Sequence, residues 1–278
     1  MMVVERVLIT GGKGKTGRRV ASRLTAMGIN VAIGTRTPDG LQDRGFDWAD
    51  PSSASAFDGC DAVYLVAPTD RSDHLAVMQP LLEEAVQRGV RRFVLLSSSL
   101  LEPGGPMMGE VHAWLAESAP DWAVLRPSWF MQNFSEGPHA ATIREEGIIY
   151  SATGAGRVGF INAEDIAATA TASLTAKTPL NSDVVLTGPE ALSYDDIAAI
   201  ITDVVGRPVR HISLDPAALT ARFVAQGLPP DYAKTLTGMD AHIAAGAEDC
   251  TTLGVEQMTG QRPTSFRDFA HGVFEYGK

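Results

Sequence analysis

Three glycines, Gly11, Gly14 and Gly17, stand at GxxGxxG spacing in Thr10-Gly11-Gly12-Lys13-Gly14-Lys15-Thr16-Gly17, between a short apolar run and a helix-forming stretch that reaches Met27. Glycine at such a strand-to-helix turn permits the tight bend, lets a pyrophosphate approach the backbone and lets the helix pack closely on the strand. The amides exposed at the helix start then bind the anion. The competing reading, a glycine-rich turn with surface lysines, does not account for its place after the first strand of an alternating pattern. Gly14-Lys15-Thr16 also ends like the phosphate loop of nucleotide triphosphatases. That loop needs a glycine five residues before Gly14, where Ile9 stands, so ATP or GTP hydrolysis is disfavoured.

The end of the second strand bears on which dinucleotide binds, because NAD-binding chains usually place an acidic residue there against the ribose hydroxyls. Here the sequence reads Gly34-Thr35-Arg36-Thr37-Pro38, with no acid before Asp39. A guanidinium at Arg36 would pair with a 2′-phosphate and stack beside it, so NADP(H) is expected over NAD(H). A solvated loop arginine is the alternative.

Short apolar runs supply the frame for these groups. Val7 to Ile9, Val31 to Ile33, Ala62 to Val66, Phe93 to Leu96 and Trp122 to Leu125 read as strands covered by helices on both faces. Between them lie amphipathic segments, clearest at Leu75 to Val86, where Leu75, Met78, Leu81, Leu82 and Ala85 recur at helical spacing. This rhythm predicts an α/β fold, a doubly wound parallel sheet with right-handed crossovers. Later helices are expected to start at Glu164-Asp165, at Ser193 with Asp196 completing a capping box, and at Asp215-Pro216. Two further strands are expected at Val184 to Leu186 and Val209 to Leu214. No internal repeat and no clean linker is visible.

With 278 residues, 45% hydrophobic and 20% charged, the composition is that of an ordinary globular chain able to bury a sizeable core. A net charge of −10 and a pI near 5.0 argue against nucleic acid or membrane as the default partner. That charge is unevenly divided: residues 1–36 hold seven basic residues and one acid, net +6, which leaves −16 for the other 242. An acidic body thus surrounds a basic corner suited to an anionic ligand. Cys60 and Cys250 offer neither a disulfide framework nor a CxxC pair. Glu5 and Arg6 interrupt any signal-peptide core, and no apolar run approaches the ~18 residues of a membrane span, so a cytoplasmic location is expected.

Further motifs join the glycine loop and Arg36: Phe46-Asp47-Trp48, Leu65-Val-Ala-Pro68, Leu95-Leu-Ser-Ser98, Leu125-Arg-Pro-Ser-Trp-Phe-Met-Gln-Asn-Phe134, Glu164-Asp-Ile166 and Leu186-Thr-Gly-Pro-Glu190. Together they resemble the NmrA-like branch of atypical short-chain dehydrogenases, over nearly the whole chain to about residue 215. Gly-Lys-Thr, Phe-Asp-Trp and Trp-Phe-Met-Gln-Asn-Phe look most like the ergot-alkaloid dehydrogenases of fungal secondary metabolism, which reduce iminium intermediates with NADPH, and like their bacterial relatives. The resemblance implies a Rossmann domain over 1–150 with sheet-completing segments at about 158–190, and a small C-terminal substrate-binding portion over 191–278 interleaved with 128–150. Carried over by position, Thr10, Gly11, Lys13, Gly14, Lys15 and Thr16 would line the pyrophosphate, with Gly17 closing the turn, and Arg36 the 2′-phosphate. Asp47 and Trp48 would lie beside the adenine, Ala67 and Pro68 beside the ribose, and Ser97, Pro127, Ser128, Trp129 and Phe130 near the nicotinamide. A turn aspartate at Asp47 and core packing for Trp48, Trp129 and Phe130 are the plainer alternatives.

Ordinary short-chain dehydrogenases protonate substrate oxygen with a Tyr followed four residues later by Lys. Here the residues four after Tyr64, Tyr150, Tyr194 and Tyr232 are Pro68, Gly154, Ala198 and Leu236, and Tyr276 is too near the end. Without that pair, the expected reaction is hydride transfer to an apolar or aromatic molecule that is already electrophilic, an iminium, enone, quinone or ketone, where positioning supplies most of the rate. Ser99, with Glu110 or His112, would then orient substrate or relay a proton; capping for Ser99 and a partly exposed helix position for His112 are the alternatives. A second functional reading is an NADP(H) sensor that signals to a protein partner without turnover. In such sheets ligands lie beyond the carboxyl ends of the strands, which selects Pro68-Thr69-Asp70, Ser99 to Met108 and Trp129 to Phe134 as pocket walls. No Gly-x-Ser-x-Gly elbow and no HExxH occurs, so serine hydrolysis and zinc chemistry lack sequence support, and no metal is expected. Monomer and homodimer are equally compatible with the sequence.

Overall fold

The computed structural model describes residues 3–137 and 139–274, apart from the Tyr232 side chain. In chain order the elements are β1 (Arg6–Thr10), α1 (Gly17–Ala26), β2 (Asn30–Thr35), β3 (Asp43–Gly45), β4 (Ala62–Val66), α2 (His74–Gln87), β5 (Arg92–Leu96), α3 (Met108–Ser118) and β6 (Asp121–Pro127), then α4 (Ala140–Glu145), β7 (Ile148–Ser151), β8 (Arg157–Val158), α5 (Ala163–Thr175) and β9 (Ser182–Leu186). The last part adds β10 (Leu192–Ser193), α6 (Tyr194–Val205), β11 (Arg210–Ser213), α7 (Pro216–Ala225), α8 (Pro230–Ala244), α9 (Gly254–Thr259) and α10 (Phe266–Phe274). Two compact units result: residues 1–127, 163–186 and 254–261 form the first, and 128–162, 187–253 and 262–278 the second. Because the chain passes from one to the other repeatedly, no single linker could announce the division.

The first unit holds a seven-stranded sheet in the order β3-β2-β1-β4-β5-β6-β9, every pair parallel. Its strands are covered on both faces, which is why they read as continuous apolar runs rather than as alternating ones. Leu8, Val63, Leu65, Phe93, Leu95 and Val124 point to one face, where they bury Met78, Leu81 and Leu82 of α2 with Val111 and Leu115 of α3. Their neighbours along each strand point to the opposite face. There α5 contacts β4, β5 and β6 and packs on α1. Glu164 ties these two helices by accepting from Arg19 Nε at 2.9 Å and Arg23 Nη2 at 3.1 Å. Arg92 is almost fully buried and donates to the carbonyls of Leu174 and Ala176 at 3.0 and 2.6 Å, capping the end of α5. The direction of winding reverses at β1, whose Val7, Leu8 and Ile9 pair with Val31, Ala32 and Ile33 on one side and with Ala62, Val63 and Tyr64 on the other. At such a switch point the loops part and leave a crevice at the strands' carboxyl ends.

The second unit is built on two small ladders, parallel β7–β11 and antiparallel β8–β10. Its core is aromatic: Phe134 meets the rings of Phe160, Tyr194 and Phe266 at 5.3, 5.7 and 5.4 Å, all edge-on. Ser193 and Asp196 form the full capping box at the start of α6, and the Asp215 side chain accepts from Ala218 N–H ahead of Pro216. Among the described residues no helix is long and apolar enough to cross a membrane.

Candidate functional site

The glycine turn leaves β1 at the switch point. Gly11 has φ +68°, a conformation L side chains rarely adopt, and its carbonyl accepts the Gly14 N–H at 2.9 Å. A Cβ on Gly17 would collide with the Gly11 carbonyl oxygen and lie 2.8 Å from Gly12 Cα. Helix α1 can therefore start against this turn only from a glycine. The turn forms one wall of a cleft of about 530 Å³. Of the residues expected to bind cofactor, that cleft brings together Gly11, Lys13, Gly14, Arg36, Asp47, Trp48, Ala67 and Pro68, and it adds Thr69, Asp70 and Arg71. A bare backbone turn, a cation at the end of β2 and an aromatic wall suit a pyrophosphate, a ribose phosphate and a base, so the residues present fit a dinucleotide.

Several side chains do something other than face a ligand. Thr10 is fully buried; its Oγ1 accepts the Val66 N–H at 2.8 Å and donates to Tyr64 O at 3.2 Å, locking β1 to β4. Trp48 donates its indole N–H to Val66 O at 3.0 Å and meets Phe46 edge-on at 4.8 Å, so its ring is a fixed wall, 8% exposed. Asp47 Oδ1 accepts from Ala49 N–H at 2.9 Å, the turn role that its type suggested. Lys13 reaches the loop after β2, where its Nζ donates to Thr37 O at 3.1 Å and lies 2.6 Å from Asp39 and 3.0 Å from Asp43. Those carboxylates raise the lysine above its ordinary pKa. Asp43 falls well below the usual carboxylate range, first through the Asp39 N–H and then through Lys13. Thr16 is buried at the start of α1, and Lys15 O accepts from Arg19 Nη1 at 2.8 Å.

The residues expected near the reacting end are divided between the units. Ser97 follows β5 in the first unit, with its N–H on Leu125 O at 2.8 Å and its buried Oγ without a hydrogen-bond partner among the described residues. Ser99 is fixed by its backbone: its N–H donates to Pro127 O at 3.0 Å, and its carbonyl accepts from Arg126 Nη2 at 2.9 Å. Arg126 also pairs with Glu102 at 2.5 Å and Asp183 at 2.8 Å, so one buried guanidinium pins the loop after β5. Pro127 ends β6. Ser128, Trp129 and Phe130 belong to the second unit, where Ser128 Oγ donates to Gly159 O, Trp129 O accepts from Ile161 N–H at 2.9 Å, and Phe130 bridges to Ile161.

Two sequence expectations need correction. His112 is not a partly exposed helix residue: it is 3% exposed, tilted against Trp122 at 5.6 Å, absent from the cleft, and pushed below its ordinary pKa mainly by burial. Met131 and Phe134 are not pocket walls; at 1% and 0% exposure they belong to the second unit's core. An aromatic run in a loop reads equally as ligand contact or packing, and neighbours distant in sequence decided for packing.

A Ser-His-Asp string does exist despite the missing elbow. In the second unit Ser151 Oγ lies 2.8 Å from His211 Nε2, and His211 Nδ1 lies 3.3 Å from Asp195 Oδ1. Ser151 is 1% exposed and also shares a hydrogen bond with Thr153, so the string has no accessible nucleophile and serves to join β7, β11 and α6. Among the described residues no group of three or more His, Cys, Asp or Glu side chains is placed to hold a metal ion.

Residues 11–177 match the model of the NAD(P)H-binding family. The chain belongs to that family. This NAD(P)H-binding protein is 42% identical over 274 residues to an uncharacterized oxidoreductase, YesF, of Bacillus subtilis, across 97% of this chain and 96% of the relative. It is 41% identical over 277 residues to agroclavine dehydrogenase of Claviceps fusiformis, across 95% of each chain. In fold it is similar to the NADPH-dependent quinone oxidoreductase QOR2 of Escherichia coli, solved with NADPH, at a TM-score of 0.82 and 21% identity over 96% of this chain and 99% of that one. The resemblance to ergot-alkaloid dehydrogenases read from the motifs therefore holds. The protein is an NAD(P)H-dependent oxidoreductase.

Proposed function

We propose that the protein is an NADPH-dependent reductase that delivers hydride to an apolar or aromatic electrophile, an iminium, enone, quinone or ketone. The observation that carries the cofactor choice is Arg36, which lines the cleft at the end of β2 with its side chain 73% exposed. Its ion pair with Asp70 is long at 3.9 Å. Lys13 brings a second cation to the loop beside it. Gly11 and Gly14 would hold the pyrophosphate against bare backbone, and Trp48, Ala67 and Pro68 would flank the adenosine. When bound, the cofactor supplies the hydride.

The protein's part is to position and to keep water out, which suits a substrate that needs no activation. Tyr64 and Tyr194 are buried in the two cores, and desolvation raises both phenols above the ordinary tyrosine value, so neither is poised as an acid. Leu100, Leu101 and Met107 in the loop after β5 favour a flat apolar substrate. Likeness to dehydrogenases acting on agroclavine and to a quinone oxidoreductase agrees with this range.

The test is titration with NADPH and NADH followed by single-turnover assays on iminium, enone and quinone panels. Tighter NADPH binding and oxidation of NADPH by at least one panel are expected. Binding of NADPH with no oxidation across all panels would leave the protein a sensor, and equal affinity for both cofactors would remove Arg36 from the 2′-phosphate.

A further inference from the structure

Three cations line the cleft, Lys13, Arg36 and Arg71, and each faces a carboxylate. The three pairs differ in grip. Arg71 donates Nε and Nη2 to the two oxygens of Asp73 at 2.6 and 2.5 Å, a fork-on-fork pair that holds Asp73 down to about 2. Lys13 sits between Asp39 and Asp43, and Asp43 is itself fixed by the N–H groups of Asp39 and Gly40 at 3.0 and 3.1 Å. Arg36 Nη1 and Asp70 Oδ2 lie 3.9 Å apart, beyond hydrogen-bond reach, on side chains 73% and 69% exposed. Of the three cations, Arg36 is the one an incoming anion can take with the least disruption.

We infer that Asp70 tunes the cleft's choice between NADPH and NADH by competing with the 2′-phosphate for Arg36, an inference that rests on the assignment of Arg36 made above. Arg36 follows β2 and Asp70 follows β4, the two strands that flank β1, and both line the cleft. A phosphate that approaches Arg36 therefore meets attraction from the guanidinium and repulsion from the carboxylate 3.9 Å away. NADH presents a neutral hydroxyl at the same place and feels neither strongly. Asp70 thus subtracts from NADPH affinity alone. Because exposed pairs are weak and screened, the effect is about two- to fivefold.

The experiment uses the full chain and measures NADPH and NADH dissociation constants for wild type, Asp70→Asn, Arg36→Ala and the double variant, at low and high salt. Asp70→Asn should tighten NADPH about two- to fivefold and leave NADH unchanged, and the gain should shrink at high salt and in the Arg36→Ala background, where only the direct repulsion between Asp70 and the phosphate is left. Weakening of both nucleotides alike, or an unchanged NADPH-to-NADH affinity ratio while Arg36→Ala still lowers it, overturns the inference and leaves the assignment of Arg36 standing. A ratio that Arg36→Ala does not move removes that assignment, and the inference with it.

Discussion

Ser97 stands just beyond β5 with its backbone fixed on Leu125 and its hydroxyl buried without a hydrogen-bond partner among the described residues. A hydroxyl left unmet in this way costs about 1–3 kcal/mol, so its retention makes sense if a ligand meets it. Ser97→Ala should then leave the unfolding midpoint level or higher while weakening NADPH and NADH alike by about tenfold. A lost midpoint with unchanged binding would assign the hydroxyl to the fold instead. How far such roles can be read from sequence differs among neighbours. Gly11 and Gly17 are legible because no other residue tolerates the turn's φ or the approach of α1. Lys13 is not: the carbonyl and carboxylates that take its amine, Thr37, Asp39 and Asp43, come together only once β3 has paired with β2. His112 misleads for a similar reason, since Trp122, which covers it, arrives from the next strand.

The helix that carries His112 begins at a strained residue. Met107 precedes α3 with φ 59° and ψ −123°, territory that glycine occupies freely and other residues do not, and the Gly109 N–H reaches back to Pro106 O at 3.0 Å to close the turn. Strain of this sort costs about 1–3 kcal/mol and gathers at functional segments. Met107→Gly should accordingly raise stability by about 1 kcal/mol in urea unfolding. If the side chain also lines the substrate path, the same variant should raise KM for an apolar substrate without changing NADPH affinity. A loss of stability would show that Met107 packing outweighs its backbone strain. Elements as a whole were legible where burial on two faces leaves an uninterrupted apolar run, as in β1, β4, β5 and β6, or where a cap is local, as at Ser193 and Asp215. The three-residue β3 and the two-residue β8 and β10 carry no such signal, because distant pairing partners define them.

At the scale of the whole molecule, charge is set against burial. The chain carries −10 while its first 36 residues carry +6, and carboxylates held low by a cation, such as Asp73 beside Arg71, cost stability as they protonate. Asp240 acts in the other direction. It lies 8% exposed on α8 with Oδ2 accepting from Ala152 N–H at 2.8 Å, and burial raises its pKa from 3.8 to about 6. In the interval between those values the folded chain holds a proton that the unfolded chain has released. This carboxyl therefore makes stability fall as pH rises through that window, by about 3 kcal/mol at most, and the loss is complete above it. Half-buried His139, stacked on Phe134 at 5.2 Å, has the opposite slope: desolvation lowers it from 6.5 to about 4, so the folded chain stays neutral where the unfolded one takes a proton, and stability falls as pH drops. The two slopes oppose each other over nearly the same interval. Asp240→Asn keeps an acceptor for Ala152 and removes the titration. Its stability advantage over wild type, followed by urea midpoints, should be small near pH 4, grow towards pH 6 and stay constant above it. An advantage that does not change with pH would mean that Asp240 ionises in the fold as it does in water, and that His139 alone bends the curve.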